Sequence, residues 1–309
     1  MKHYILLISF NIYYLSAYAQ LNQSFDFYID DDNEKHLLGK INRAAFSDTL
    51  YSLWFDANYE NYQIDDSIIS KPTTMAPEDI KIKIFMATWC GDTKRNMPRF
   101  LKVIDQLDIK ASQIEYYAMD ARRDNYKQTH GDFEKGMNIH RVPTFIIEHD
   151  NHEVGRIVEH PMNTLEMDLI QILNGYGSDP RYKAVDYINQ LHEDQGLDYL
   201  IANKEDILAH INDNLRTISV GDLNTYGFVL LNSDRVDLAT YVYELNTMLY
   251  EDEAMTYNNY AKGLQLQGNH AQSIENYLIA LQLNPEYDHI KERIQDMLSD
   301  GDTATRTED

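Results

Sequence analysis

The chain has 309 residues, 43% of them apolar, enough for two ordinary hydrophobic cores. Fifty acidic against 27 basic side chains give a formal net charge of −23, which repels nucleic-acid phosphates and anionic lipid, so no nucleic-acid partner is expected. The single cysteine, Cys90, excludes an intramolecular disulfide, a C-x-x-C redox pair and a cysteine-built zinc site.

Residues 1–19 place one basic residue before a short apolar segment closing on Ala17-Tyr18-Ala19. This is the pattern of a secretory signal peptide cleaved after Ala19, and it predicts a secreted or periplasmic protein. The alternative is an apolar first strand or helix of the fold. No other run of ~18 apolar residues exists, so no membrane span is expected. Residues 20–78 read as an acidic arm followed by a helical extension. Within them Leu37, Leu38, Ile41, Ala44, Ala45, Leu50, Leu53 and Trp54 have the spacing of one or two amphipathic helices. Pro72 and Pro77 then mark a linker or loop.

A strand is predicted over 81–88, carrying Ile82, Ile84, Phe85 and Met86, with Trp89-Cys90-Gly91-Asp92-Thr93 at its carboxyl end. A helix over 93–107 follows, with Met97, Leu101, Val103, Ile104 and Leu107 as its apolar positions. Cys90 then stands at a helix N-terminus, where the macrodipole and free N–H groups favour a thiolate. A second strand is expected over 114–120, and a polar stretch over 121–140 with a short helix around 132–135. Val142-Pro143-Thr144 opens a third strand, a hairpin through 148–152 leads to a fourth over 153–159, and a helix over 165–173 closes an α/β domain spanning 79–176.

The stretch from Trp89 to Pro98 resembles the Trp-Cys-Gly-Pro-Cys segment of thioredoxins, including the helix proline eight residues beyond the first cysteine. Val142-Pro143-Thr144 is similar to the segment whose cis proline faces that cysteine in the family, and the elements follow the same order. The resemblance implies a thioredoxin-like mixed sheet flanked by helices. It further implies that Cys90 is the nucleophile with Thr93 as its hydrogen-bond partner, and that Trp89, Gly91, Val142 and Pro143 hold substrate backbone. Three departures limit it. Asp92 replaces the family's proline, Thr93 replaces the resolving cysteine, and Ile84 replaces the buried acid six residues before the first cysteine. A C-x-x-C cycle is therefore excluded, and Cys90 is either a reactive monothiol or an inert core thiol. Lys94 and Arg95 in the first helical turn, with His140 and Arg141 on the opposite wall, supply positive charge that favours a thiolate, and Asp92 opposes it. Lys94 and Arg95 read equally well as a solvated helix face.

From 177 to 298 the chain reads as helical, and 299–309 as a disordered tail. Leu223, Tyr226, Gly227, Leu230, Ala239 and Tyr243 recur 34 residues later as Tyr257, Tyr260, Ala261, Leu264, Ser273 and Tyr277, with Ala280 and Pro285 completing the second copy. The period resembles two tetratricopeptide repeats, about 220–253 and 254–287, which implies a partner-binding all-α domain. His149 and His152, with His140 and His160, have no distinctive ligand spacing, and neither metal nor cofactor is expected. Asp120 with Arg122 and Arg123 reads as a surface ion-pair patch. Two functions fit: an extracytoplasmic monothiol protein acting on protein thiols, disulfides or small-molecule thiols, or a non-catalytic adaptor binding partners through its repeats.

Overall fold

The computed structural model describes residues 24–215 and 219–305, with side chains described as far as Ser299. The signal-like segment 1–19 and the last four residues lie outside the described residues. The chain forms two compact units that meet in sequence at Arg181 and Tyr182, and the second also takes in Arg123–Tyr126. Among the described residues no helix is long and apolar enough to cross a membrane.

The first unit begins with strands β1 (Phe27–Ile29), β2 (Lys35–Leu37) and β3 (Gly39–Ile41), then helices α1 (Thr49–Asn61) and α2 (Asp66–Ile69). Strand β4 (Ile80–Met86), helix α3 (Gly91–Ile104) and strands β5 (Ile114–Ala118), β6 (Thr144–His149) and β7 (His152–Val158) follow, and helix α4 (Leu165–Leu173) closes it. Five strands make one mixed sheet in the order β3-β5-β4-β6-β7. Strands β4 and β5 are parallel, and the other neighbours are antiparallel.

Strand β4 is central, and its carboxyl end, Ile84 to Met86, is apolar and buried on both faces, while Lys81 is exposed and Lys83 half-buried. Ile80, Ile82, Ile84 and Met86 join the main core with Phe100, Leu101 and Phe145. Phe85 and Ala87 point to the other face, with Tyr117, Val142 and Ile146. The ring centroids of Phe100 and Phe145 are 4.0 Å apart, which seats α3 on the sheet.

The amino-terminal extension differs from its helical reading. Residues 27–41 form three short strands; β1 pairs with β2, and β3 pairs with β5 through Gly39 opposite Ala118. Gly39 sits at φ +69°, and a Cβ there would lie 2.9 Å from the His130 carbonyl oxygen. Only glycine fits this edge. Of the expected helical apolar positions, Leu50 and Leu53 face solvent, while Tyr51 and Phe55 of α1 enter the core beside Phe46. The segment is thus part of the first core. Residues 132–135 form turns in place of the expected short helix.

The second unit is all-helical: α5 (Lys183–Gln195), α6 (Leu197–Ala202), α7 (Lys204–His210), α8 (Gly221–Asn232), α9 (Val236–Leu249), α10 (Ala254–Leu266), α11 (His270–Leu283) and α12 (Asp288–Thr305). Helix α12 runs through much of the expected tail. Leu223, Tyr226, Gly227, Leu230, Ala239 and Tyr243 are buried, as are Ala261, Leu264, Ser273, Tyr277 and Ala280. Asn246 donates through Nδ2 to the Val220 carbonyl at 3.1 Å and to Asn224 Oδ1 at 2.9 Å, tying α9 to α8.

Two glycines mark contacts with no space for a side chain. A Cβ at Gly155 on β7 would lie 2.8 Å from Cγ1 of Ile172 on α4, and one at Gly227 on α8 would overlap the buried Tyr243 ring of α9. Gly155→Ala and Gly227→Ala are each expected to lower the unfolding free energy by about 1–3 kcal/mol. Urea titration followed by circular dichroism measures this, and an unchanged midpoint would show that the neighbouring side chain relaxes freely.

Candidate functional site

The chain turns sharply as it leaves β4. The Cys90 N–H donates to the Ala87 carbonyl at 3.1 Å, and the Lys94 N–H donates to the Cys90 carbonyl at 3.0 Å, so Cys90 is the N-cap of α3. The Trp89 indole N–H donates to the Met119 carbonyl at 2.9 Å, fixing this turn to the end of β5. The Cys90 thiol does not cap the helix; it donates to the Val142 carbonyl with Sγ 3.2 Å from the oxygen. The next peptide, Val142–Pro143, is cis. Trp89 and Cys90 are half-buried against Val142, whereas Gly91 is exposed.

A third segment closes the site. The Glu159 N–H donates to the Pro143 carbonyl at 2.7 Å. Glu159 takes a left-handed φ of 60°, which turns the chain so that Asn96 Nδ2 of α3 donates to its carbonyl at 2.7 Å. His160 Nδ1 lies 2.9 Å from the same amide nitrogen.

Three expected roles change in the structure. Thr93 is fully buried and its Oγ1 accepts from the Ala87 N–H at 3.3 Å; the partner of the sulfur is the Val142 carbonyl. A threonine here braces the turn against the helix. Arg95 is committed to Asp92 Oδ1 at 3.0 Å and to His160 Nδ1 at 3.1 Å, and Lys94 is half-buried in the same turn. His140 is no cation. Burial, then the charges of Lys127, Arg141 and Arg156, push its imidazole down from 6.5 to about 3 against the Asn138 carbonyl, which Nδ1 contacts at 3.3 Å. Arg141 keeps a long ion pair to Glu159 at 3.8 Å.

Sequence reasoning missed Lys127, Glu159 and Asn96, and weighed His160 only as a metal ligand. Nothing separates Lys127 from Lys135 in a polar stretch, yet Lys127 is buried and its Nζ donates to the His140 carbonyl at 2.8 Å, while Lys135 is exposed and pairs with Asp132. Of the expected Asp120 patch, Arg122 pairs with Asp120, Nη2 lying 2.6 Å from Oδ2, but Asp120 is buried and not on the surface.

A family model described as thioredoxin matches residues 47–171, about two-fifths of the chain. The first unit is a thioredoxin-like domain. No curated protein matches the chain. The match takes in α1.

Metal-ligand geometry in this domain lies away from His149 and His152. Among the described residues, Asp30, Glu34 and His36 converge, as do Asp92, Glu159 and His160. In the first group both His36 ring nitrogens already have protein partners, Asp30 Oδ2 at 3.0 Å and Thr88 Oγ1 at 3.3 Å. In the second, the Arg95 guanidinium occupies the ground between Asp92 and His160, where a cation would be repelled.

The buried neutral His140 fixes a sign. Its folded proton affinity is depressed, so the unfolded chain binds the extra proton first, and stability falls as the pH drops from about 6.5 toward about 3. Between pH 7 and pH 4 the wild type should lose about 2–3 kcal/mol more than His140→Gln, as measured by urea unfolding at both pH values. Equal losses would mean that the imidazole is protonated in the folded protein.

Proposed function

We propose that this protein is a monothiol member of the thioredoxin-like class, with Cys90 exchanging disulfides through a mixed-disulfide intermediate. The observation that carries this reading is the placement of the Cys90 sulfur. Cys90 is the N-cap residue of α3 and is half-buried, and its sulfur, which bonds to no helix N–H, lies 3.2 Å from the Val142 carbonyl beside the Val142–Pro143 peptide. A disulfide arriving there meets the sulfur as nucleophile.

The chemistry balances with one protein sulfur. The Cys90 thiolate attacks one sulfur of R–S–S–R′, forming Cys90–S–S–R and releasing R′–S⁻, which takes a proton. A second thiol, R″–SH, then loses its proton, attacks the R sulfur and frees the Cys90 thiolate, leaving R–S–S–R″. Thr93 cannot perform that second step, so the resolving thiol comes from outside the chain. Protein disulfides and small-molecule disulfides both fit the scheme.

We read the helical unit as the partner-binding part. Its 34-residue recurrence and the burial of most of the recurring positions support two tetratricopeptide-like repeats, about 220–253 and 254–287. An extracytoplasmic setting is proposed from residues 1–19 and suits a disulfide-bearing substrate. A second reading, a non-catalytic adaptor, is favoured by one observation: the Thr93 hydroxyl is spent on the Ala87 N–H and gives the sulfur no help.

Glutathione disulfide separates the two. Intact-mass analysis is expected to find a glutathione adduct on the wild type and none on Cys90→Ser, formed at pH 7 at roughly ten times the rate of free cysteine. A rate at or below that of free cysteine would leave the adaptor.

A further inference from the structure

The second unit leaves three cations without an acid. Lys262 stands on α10, Arg293 on α12, and Arg123 in the short segment Arg123–Tyr126 that belongs to this unit. The chain has 50 acidic side chains, and other lysines of the unit use them: Lys204 lies 2.6 Å from Glu244, and Lys291 lies 2.8 Å from Asp288. Among the described residues Lys262, Arg123 and Arg293 pair with no carboxylate, and Arg293 donates only to the Tyr277 hydroxyl, at 3.2 Å.

Ring and hydroxyl contacts hold the three on one surface. Lys262 Nζ sits 5.2 Å from the centre of the Phe228 ring of α8. Tyr126, three residues after Arg123, packs against the same phenyl with centroids 5.0 Å apart. Tyr277 of α11 accepts from Arg293 and donates to Gln265 Oε1 at 3.3 Å. Gln265 follows Lys262 by three residues on α10, so the two share a helix face. Lys262 and Arg293 are half-buried and Arg123 is exposed. Like charges held together with part of their hydration removed repel, and no neighbouring acid offsets that cost. Helix α10 has no acidic residue, and on α8 the sole one, Asp222, is buried beside Ser219. On α12 Asp288 is taken by Lys291, while Glu292 and Asp296 are exposed and unbonded to Arg293. Burial pulls the Lys262 ammonium below its ordinary 10.5, and the charges of Arg123 and Arg293 pull the same way.

We propose that Lys262, Arg293 and Arg123 form an anion site that takes the phosphate group of a phosphomonoester ligand. Such a group carries close to two negative charges at neutral pH and three acceptor oxygens, enough to engage all three cations. A carboxylate brings one charge, and a single guanidinium fork fills both of its oxygens, which leaves the other cations uncompensated. The Tyr277 hydroxyl holds Arg293 and the Phe228 ring holds Lys262 before the ligand arrives, so little side-chain freedom is lost on binding. The site is independent of Cys90 and stands whether or not that thiol is reactive.

The test is calorimetric titration of the full chain with phenyl phosphate, and with benzoate as its carboxylate counterpart. Phenyl phosphate is expected to bind with a Kd of about 1 mM or tighter, and benzoate at least about tenfold more weakly. Lys262→Met and Arg293→Met should each weaken phenyl phosphate roughly tenfold. Lys262→Arg keeps the charge and should stay within about threefold of the wild type. Lys204→Met makes the same change of net charge at a lysine already paired with Glu244, and should leave the affinity unchanged. No binding of phenyl phosphate at about 10 mM overturns the inference. Equal affinity for benzoate overturns the choice of phosphate, and undiminished binding by a folded Lys262→Met protein overturns the assignment of the site. If the methionine variants do not fold, the lysine 13Cε resonance that disappears in Lys262→Arg identifies Lys262 in the wild type. A Lys262 resonance that phenyl phosphate does not move overturns the inference instead.

Discussion

The contact between the Cys90 thiol and the Val142 carbonyl joins two segments that are 52 residues apart in the chain. One is the turn that ends the central strand, and the other is the start of the strand beside it. Both must be held in register for the contact to exist. The antiparallel pairing of β4 with β6, Phe85 opposite Thr144 and Ile84 opposite Phe145, supplies that register. Because the carboxyl end of β4 is buried on both faces, a one-residue slip would bring Phe85 and Ile84 to the wrong sides, and the core enforces the site's geometry.

Around that contact the polar groups divide into brace and charge. Thr93, Asn96 and Trp89 spend their hydrogen bonds on the backbone at Ala87, Glu159 and Met119, and so hold the three segments together. Asp92, Arg95 and His160 close on one another at the rim. Behind them lie the buried Lys127 amine, a buried neutral His140 and the half-buried Arg141–Glu159 pair. Charges in such surroundings interact more strongly than at a surface, since less water screens them. The mostly acidic character of the chain, −23 overall, therefore says little about the field that Cys90 experiences.

The helical unit obeys a different constraint. Its helices pack by close approach at small residues, Gly227 under Tyr243 and Gly263 against Thr240, where any Cβ would collide. Buried tyrosines at 226, 243 and 277 fill the space between helices, and the Tyr226 hydroxyl donates to Asn189 Oδ1 at 3.0 Å, so burial leaves that polar atom satisfied. Small positions facing large aromatic ones are the physical content of the 34-residue recurrence.

Much of this was legible in the chain itself. The alternation at Ile80, Ile82 and Ile84, the spacing of Met97, Leu101 and Ile104, and the recurrence of Gly, Ala and Tyr positions are local patterns. They determined the central strand, the helix behind Cys90, the closing helix and the helical hairpins. Tertiary structure alone decided the rest. Strands β2 and β3 are three residues long each, and β3 forms against the edge that β5 offers, so the Leu37, Leu38 and Ile41 spacing across them passed for a helix. The Thr93 hydroxyl went to the Ala87 N–H, which the turn after β4 brings to it. His140 lost its charge to burial, and Lys127 was drawn inward onto the His140 carbonyl. Periodicity records which face of an element is apolar; it carries no information about which side chains from other elements will share a low-dielectric pocket, and that sharing decides protonation.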